Sequence, residues 1–315
     1  MGRPERFTFA VCILLVAALT GFIFLSANGS SRHSLTEGLV SETSPIAQGQ
    51  GGLGSSANPV EDMASGAGAA GTSTGSGAHP LDGALAIARE ALEKFNREVD
   101  DYTATLVKRE RISGTLGTEM RMVTKVRTRR TAGDKLVRPL QVYLKVLDPW
   151  LARGREVLWS ENLNDGKLIA HEGGLKNVMR VSLAPTDTLA MLGNKYPITE
   201  IGLAKLMEKL IEKGERDKRV GPCQVTIKSG SEVGGRPCQL IQVTHPNRDP
   251  RFDFHIAQIF LDQERMIPLR YAAFLWPDKP DGAPLLEEEY TYLDVQLNVG
   301  LKDIDFDPEN PAYDF

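Results

Sequence analysis

The sequence predicts a mainly β, α+β domain, a large antiparallel sheet of about ten strands with its leading helix held on the concave side. Three observations predict it. Short segments of alternating polar and apolar residues, bounded by turn residues, recur between positions 102 and 297. Helical periodicity is confined to two stretches, 81–99 and 200–213. No β-α-β alternation and no internal repeat runs through the chain.

The leading helix rests on Leu81, Leu85, Ala88, Leu92, Phe95 and Val99, spaced by four and three so that they line one face. Pro80 suits its first turn. Strands follow at 102–112 and 119–130, read as a hairpin around Ser113-Gly114, then at 140–147, 154–160 and 166–172, with a short one over 176–182. Asn164-Asp165-Gly166 is a turn signal between two of them. Thr199 is placed to cap the second helix, with Gly214 beyond its end. Strands return at 222–229, 236–245, 254–262, 266–276 and 285–297, with Gly234-Gly235 and Gln263-Glu264 as turns.

Ahead of this domain lie two segments of another kind. Phe7 to Leu25 is almost wholly apolar and uncharged, long enough at about 1.5 Å per residue to cross a hydrocarbon core of about 30 Å. Arg3 and Arg6 precede it, which sets the N-terminus in the cytoplasm and the domain in the periplasm or another extracytoplasmic space. Residues 1–27 thus read as a single-pass anchor or a cleaved signal peptide; both export the domain. Residues 28–79 are rich in Gly, Ser and Ala, too poor in apolar surface to offset their ordering entropy, and read as a flexible tether reaching about 40 Å. The folded part is then 80–315. With 41% hydrophobic and 25% charged residues in the chain, it can bury a core. A net charge of −4 excludes nucleic-acid binding by bulk electrostatics.

Four constellations carry candidate chemistry. Alternating apolar residues, Leu140, Val142, Leu144, Val146, Ile259, Leu261, Ile267, Leu269 and Tyr271, form an inner face. They build either an apolar ligand cavity or an ordinary core packed on the leading helix. Lys108, Arg109, Arg111, Arg121, Lys125, Arg127, Arg129 and Arg130 fall on the first two strands. They form either a patch for anionic headgroups or a solvated outer face. Cys223 and Cys238 either pair as an exported disulfide or are two small buried residues. Glu287-Glu288-Glu289 alternates faces, so Glu287 and Glu289 could cooperate as acid and base, while a buried Glu288 would need a partner such as Arg270 or Lys145.

Metal and nucleophile chemistry finds little support. His245, Asp249, Asp253 and His255 cluster in sequence but read more simply as loop and strand-edge polar groups. Asp303, Asp305, Asp307, Glu309 and Asp314 imitate part of a calcium loop, with Pro308 where glycine is required; the alternative is a terminal segment docked through Phe306, Tyr313 and Phe315. No nucleophile elbow, phosphate loop, H-E-x-x-H or C-x-x-C occurs. No metal and no cofactor is implied.

The segments YTATLVKRERISG, VYLKVLDP, GREVLWSENLNDGKLIAHEGG, KYPITEIGL, RPCQLIQVTHP, EEEYTYLDVQLNVGL and DFDPENPAYDF cover most of residues 100–315. On these the region resembles a bacterial family known as domain of unknown function 1571. That family looks like part of the lipoprotein-carrier (LolA/LolB-like) superfamily. The resemblance implies a curved, incomplete β-barrel closed by helices over an apolar cavity that takes acyl chains. It implies no catalytic residues. The expected role is a non-enzymatic, envelope-facing module binding a lipid, lipoprotein or apolar peptide. The alternatives are a membrane-tethered sensor or interaction domain with a filled core and a membrane-protein partner, resembling anti-sigma regulators of this fold, and a hydrolase using Glu287 or Glu289 or the His245/His255 region.

Overall fold

The computed structural model describes residues 78–173 and 180–315. The apolar N-terminal segment, nearly all of the Gly/Ser/Ala-rich stretch and much of the short strand expected over 176–182 lie outside the described residues. Among the described residues no helix is long and apolar enough to cross a membrane.

Helix α1 (Leu81–Glu98) buries Leu81, Leu85 and Phe95 of the expected face together with Ala91 beside it, while Ala88 and Leu92 are half-buried. The chain then builds β1 (Asp101–Ile112), β2 (Thr115–Leu116), β3 (Met120–Arg127), β4 (Arg130–Ala132), β5 (Lys135–Arg138), β6 (Gln141–Asp148), β7 (Glu156–Ser160), β8 (Leu168–His171) and β9 (Val181–Leu183). Helix α2 (Leu203–Asp217) follows, and β10 (Gln224–Val233), β11 (Arg236–Thr244), β12 (Ile256–Asp262), β13 (Pro268–Leu275) and β14 (Leu285–Leu297) complete the fold.

These strands form one curved antiparallel sheet in the order β10-β11-β12-β13-β14-β1-β3-β6-β7-β8-β9, with β2 on β1. The sheet stays open, since β10 and β9 end its two flanks. The two halves of the chain meet in the β1–β14 ladder, where Leu106 opposes Tyr292, Lys108 opposes Tyr290 and Glu110 opposes Glu288. The main apolar cluster joins Phe95, Tyr102, Leu106, Val126, Leu203 and Ile267. A second lies under α1 and α2 around Leu85, Phe254 and Tyr271. A third, on the opposite face, joins Tyr143 and Leu158 to Phe306, Tyr313 and Phe315. All three clusters are built within residues 81–315, so this part carries its own core.

The structure corrects several expectations. The second strand of the first hairpin ends at Arg127, and Arg130 opens a separate two-stranded ribbon, β4–β5. Helix α2 starts three residues later than its periodicity suggests, and Thr199 does not cap it; residues 198–200 form a single 3-10 turn. Gly202 is the capping position, at φ +128°, where a side chain would be strained. The free amide of the first turn is met by the sheet instead: Leu203 N–H donates to the Tyr102 hydroxyl at 2.9 Å. Tyr102→Phe keeps the ring but leaves the buried Leu203 donor empty. It is expected to lower stability by about 1–3 kcal/mol, read from the urea midpoint at unchanged m-value.

Gly214 lies inside α2 rather than beyond it. A Cβ there would sit 2.8 Å from Leu85 Cδ2, so the glycine lets α1 approach α2 closely. Cys223 and Cys238 are both free and buried. Cys223 precedes Gln224, which pairs with Thr244, whereas Cys238 pairs with Ser231. Six positions of β11 separate the two levels, about 20 Å at the strand rise, far beyond disulfide reach.

Candidate functional site

The helix-covered face holds polar side chains where the ladder alone would place a core. In β1 the residues turned inward after Leu106 are Lys108 and Glu110; in β14 they are Glu288, Tyr290 and Tyr292. Two carboxylates, Glu110 and Glu288, therefore face each other across the ladder, a pairing that is destabilising unless cations and donors compensate. Lys195 and Tyr196, together with Lys108 and tyrosines of β13 and β14, supply them. Lys195 Nζ lies 2.9 Å from Glu288 Oε2, and the Lys195 amide donates to Glu110 at 3.2 Å. Lys108 Nζ donates to Glu110 at 2.9 Å and to Asn194 at 2.8 Å. Tyr196 and Tyr271 hydroxyls donate to Glu288 at 2.9 and 3.2 Å, and Tyr290 donates to Glu110.

This network borders a cleft of about 230 Å³. Its walls include Lys195, Tyr196, Lys213, Asp253, Glu287 and Glu288. Glu287 reaches it because the β13–β14 register skips that residue: Glu288 pairs with Ala273 and Leu286 with Phe274. The bulge re-aims the extra side chain, so two consecutive carboxylates serve one cleft. Burial pulls the Lys195 ammonium down, but Glu288 and Glu287 outweigh it and hold the group above its ordinary value. Burial, reinforced by the nearby carboxylates, pushes the Tyr196, Tyr271 and Tyr290 phenols far up, so they stay neutral donors. Burial pushes Asp253 up as well, and Arg216 and Lys213 bring it below its ordinary value.

Next to the cleft, between the helix pair and β11–β12, is a cavity of about 70 Å³ lined by Leu85, Ala88, Met207, Leu210, Ile259 and Leu261 among others, nearly all apolar. Lys213 and Phe254 belong to the walls of both spaces.

Of the inner-face residues expected from alternation, Ile259 and Leu261 line the apolar cavity and Tyr271 lines the polar cleft. Leu140, Val142, Leu144, Ile267 and Leu269 pack in the main core, and Val146 is buried. The basic residues do not act together. Lys108 points inward to Glu110. Arg109 is held by the Gly117 carbonyl, Arg111 by the Leu286 and Gly114 carbonyls. Lys125 pairs with Asp305 at 2.7 Å and Arg127 with Asp303 at 2.5 Å. Arg129 lies beyond the end of β3 and pairs with Glu161, while Arg121 is exposed. The acidic C-terminal segment thus docks on the basic strand, its carboxylates drawn apart to separate cations rather than converging as calcium ligands.

Glu288 is only 2% exposed, and its partners are Lys195, two tyrosines and, at 3.7 Å, Lys213. Neither Arg270 nor Lys145 reaches it: Arg270 pairs with Glu289, and Lys145 with Glu156 and Asp314. Glu289 is therefore turned away from Glu287's cleft. Buried His245 lies 3.2 Å from Asp217 and stacks on Phe252 at 3.8 Å, whereas His255 bonds the His245 carbonyl. Among the described residues no three His, Cys, Asp or Glu side chains are grouped to hold a metal ion. Sequence reading misses Lys195, Tyr196 and Lys213. The one signal present is the charged and aromatic content at 194–196 just ahead of an amphipathic helix.

The model for the family described as Protein of unknown function (DUF1571) matches residues 99–315. No curated protein matches the chain. Similar solved structures include a DUF1329 family protein from Desulfovibrio piger, 12% identical over 73% of this chain and 98% of that one, with a TM-score of 0.36. A putative outer membrane lipoprotein-sorting protein domain from Vibrio parahaemolyticus is 14% identical over 71% and 95%, with a TM-score of 0.33. A LolA superfamily protein from Nitrosomonas europaea is 12% identical over 70% and 97%, with a TM-score of 0.28.

Proposed function

This chain belongs to the DUF1571 family of proteins of unknown function, and we propose that it is a non-enzymatic binding module for an amphiphile such as a lipid or the lipid-bearing end of a lipoprotein, working outside the cytoplasm on a membrane tether. One observation carries the reading: an apolar cavity and a polar cleft lie side by side and share Lys213 and Phe254 as walls. A chain entering between the helices and β11–β12 leaves its polar end at the cleft. Each methylene buried contributes about 0.8 kcal/mol. The cavity, at about 70 Å³, is smaller than an acyl chain, so entry requires α1 and α2 to part. The cleft carboxylates are already bonded to cations and phenols, which suits recognition better than proton transfer.

A filled-core interaction domain is the second reading, favoured by that same small volume. The test is native mass spectrometry of the full chain extracted from its own membrane, together with displacement of a fluorescent acyl probe from residues 78–315. Co-purifying lipid and micromolar probe binding are expected. Absence of both overturns the amphiphile reading, and crosslinks to a membrane protein without lipid would favour the second.

A further inference from the structure

We infer that the turn between β6 and β7 is a membrane-contact site, where Trp150 and Leu151 enter the headgroup region of a lipid bilayer with Arg121 and Arg153 beside them. The site lies apart from the cavity and the cleft, and it rests on the reading above only for the membrane tether.

Residues 150–152 form a single 3-10 turn whose backbone is satisfied locally. Ala152 N–H donates to the Pro149 carbonyl at 3.0 Å, Arg153 N–H to Trp150 at 3.2 Å and Gly154 N–H to Val146 at 2.9 Å. Arg153 Nε donates to the Leu147 carbonyl at 2.8 Å. This fixed turn holds two neighbouring apolar side chains in water: Trp150 is 76% and Leu151 54% exposed. Neither belongs to any of the three apolar clusters. Turns are ordinarily built from small and polar residues, so large apolar ones projecting from a turn point to something that covers them.

The size of the patch selects the occupant. A stable protein interface takes roughly 800 Å² from each partner, and two side chains fall well short of that. A bilayer needs less. Tryptophan settles at headgroup depth, and arginine keeps its guanidinium among the phosphates while its stem lies on apolar surface. Arg153 pairs with Asp148 at 2.9 Å yet keeps its side chain largely exposed, and exposed Arg121 stands across the ladder from Asp148 at the foot of the turn.

Position agrees. An even number of antiparallel steps separates β6 from β11 and β13, so all three strands finish at the same end of the sheet. Leu81, which opens α1, packs in the cluster that holds Val243 and Ala273, close to where β11 and β13 finish. The chain therefore enters the domain at the end that carries the turn. With residues 28–79 as a flexible tether, the effective concentration of bilayer is about millimolar, so even a contact of millimolar strength is populated.

The test is quenching of tryptophan fluorescence in the full chain, reconstituted into phosphatidylcholine–phosphatidylglycerol vesicles with brominated acyl chains. The chain has 3 tryptophans, and besides Trp150 they are buried Trp159 and half-buried Trp276. Quenching is expected in the wild type, reduced in Leu151→Ser and lost in Trp150→Phe. Pelleting of residues 78–315 with the same vesicles at millimolar lipid should fall at least about tenfold in Trp150→Ser/Leu151→Ser, at an unchanged urea midpoint. Wild-type emission indifferent to bromine, or quenching that survives Trp150→Phe, overturns the inference and leaves the tether and the amphiphile reading standing. A full chain that carbonate washes from the vesicles overturns the tether instead. Pelleting of residues 78–315 then decides the contact site: loss in the double variant upholds it, and equal or absent pelleting of both proteins overturns it.

Discussion

Lys108→Met is expected to destabilise the domain by about 3–5 kcal/mol, because it strands a buried carboxylate. The Glu110 side chain is 4% exposed, and Lys108 Nζ, 2.9 Å away, is its cationic partner. The residue directly across the ladder is another acid, Glu288. With Lys108 gone, Tyr290 and the Lys195 amide still donate to Glu110, but nothing neutralises its charge at that distance. Urea unfolding of residues 78–315 should show the loss in the midpoint. In a domain of this size it corresponds to a melting temperature lower by roughly 10 °C. The double variant Lys108→Met/Glu110→Met removes the stranded charge as well and is expected to recover at least half of the loss. A single variant within about 1 kcal/mol of wild type would mean that the pair does not hold this face together.

Leu85→Ala should separate stability from binding. Leu85 is 4% exposed, touches the position of Gly214 across the helix pair, and lines the apolar cavity. Truncation costs the transfer energy of the lost methyl groups and the cavity they leave, about 2–5 kcal/mol together. The same truncation enlarges the space that an acyl chain must enter and weakens the contact that keeps α1 on α2. Thermal melts should therefore fall while the affinity for an acyl probe rises, since less of the binding energy goes into opening the helices. Affinity unchanged or lowered at reduced stability would show that the chain does not enter beneath Leu85.

Part of the site is legible in the amino-acid sequence. Alternation alone assigns Ile259, Leu261 and Tyr271 to the inner face, and they border the two spaces. Glu288 is recognisable as a residue that needs partners if buried. The partners themselves are not legible: Lys195 and Tyr196 lie 93 and 92 positions away in sequence, on a segment with neither helical nor strand periodicity. The bulge that aims Glu287 is invisible too, because alternation assumes an unbroken ladder.

Local periodicity determined most strands, the apolar face of α1 and the Asn164-Asp165-Gly166 turn, because those depend on residues a few positions apart and on backbone preferences that neighbours impose. Everything that depends on which strands meet was decided by tertiary structure. Pairing β1 with β14, about 180 positions apart in sequence, set two acids face to face and drew lysines and tyrosines around them. Tyr102 and Leu85 reset the beginning and interior of α2, and the C-terminal acids took up Lys125 and Arg127. Burial makes an unmatched charge or donor costly wherever its partner lies in sequence, and sequence spacing carries no record of that distance.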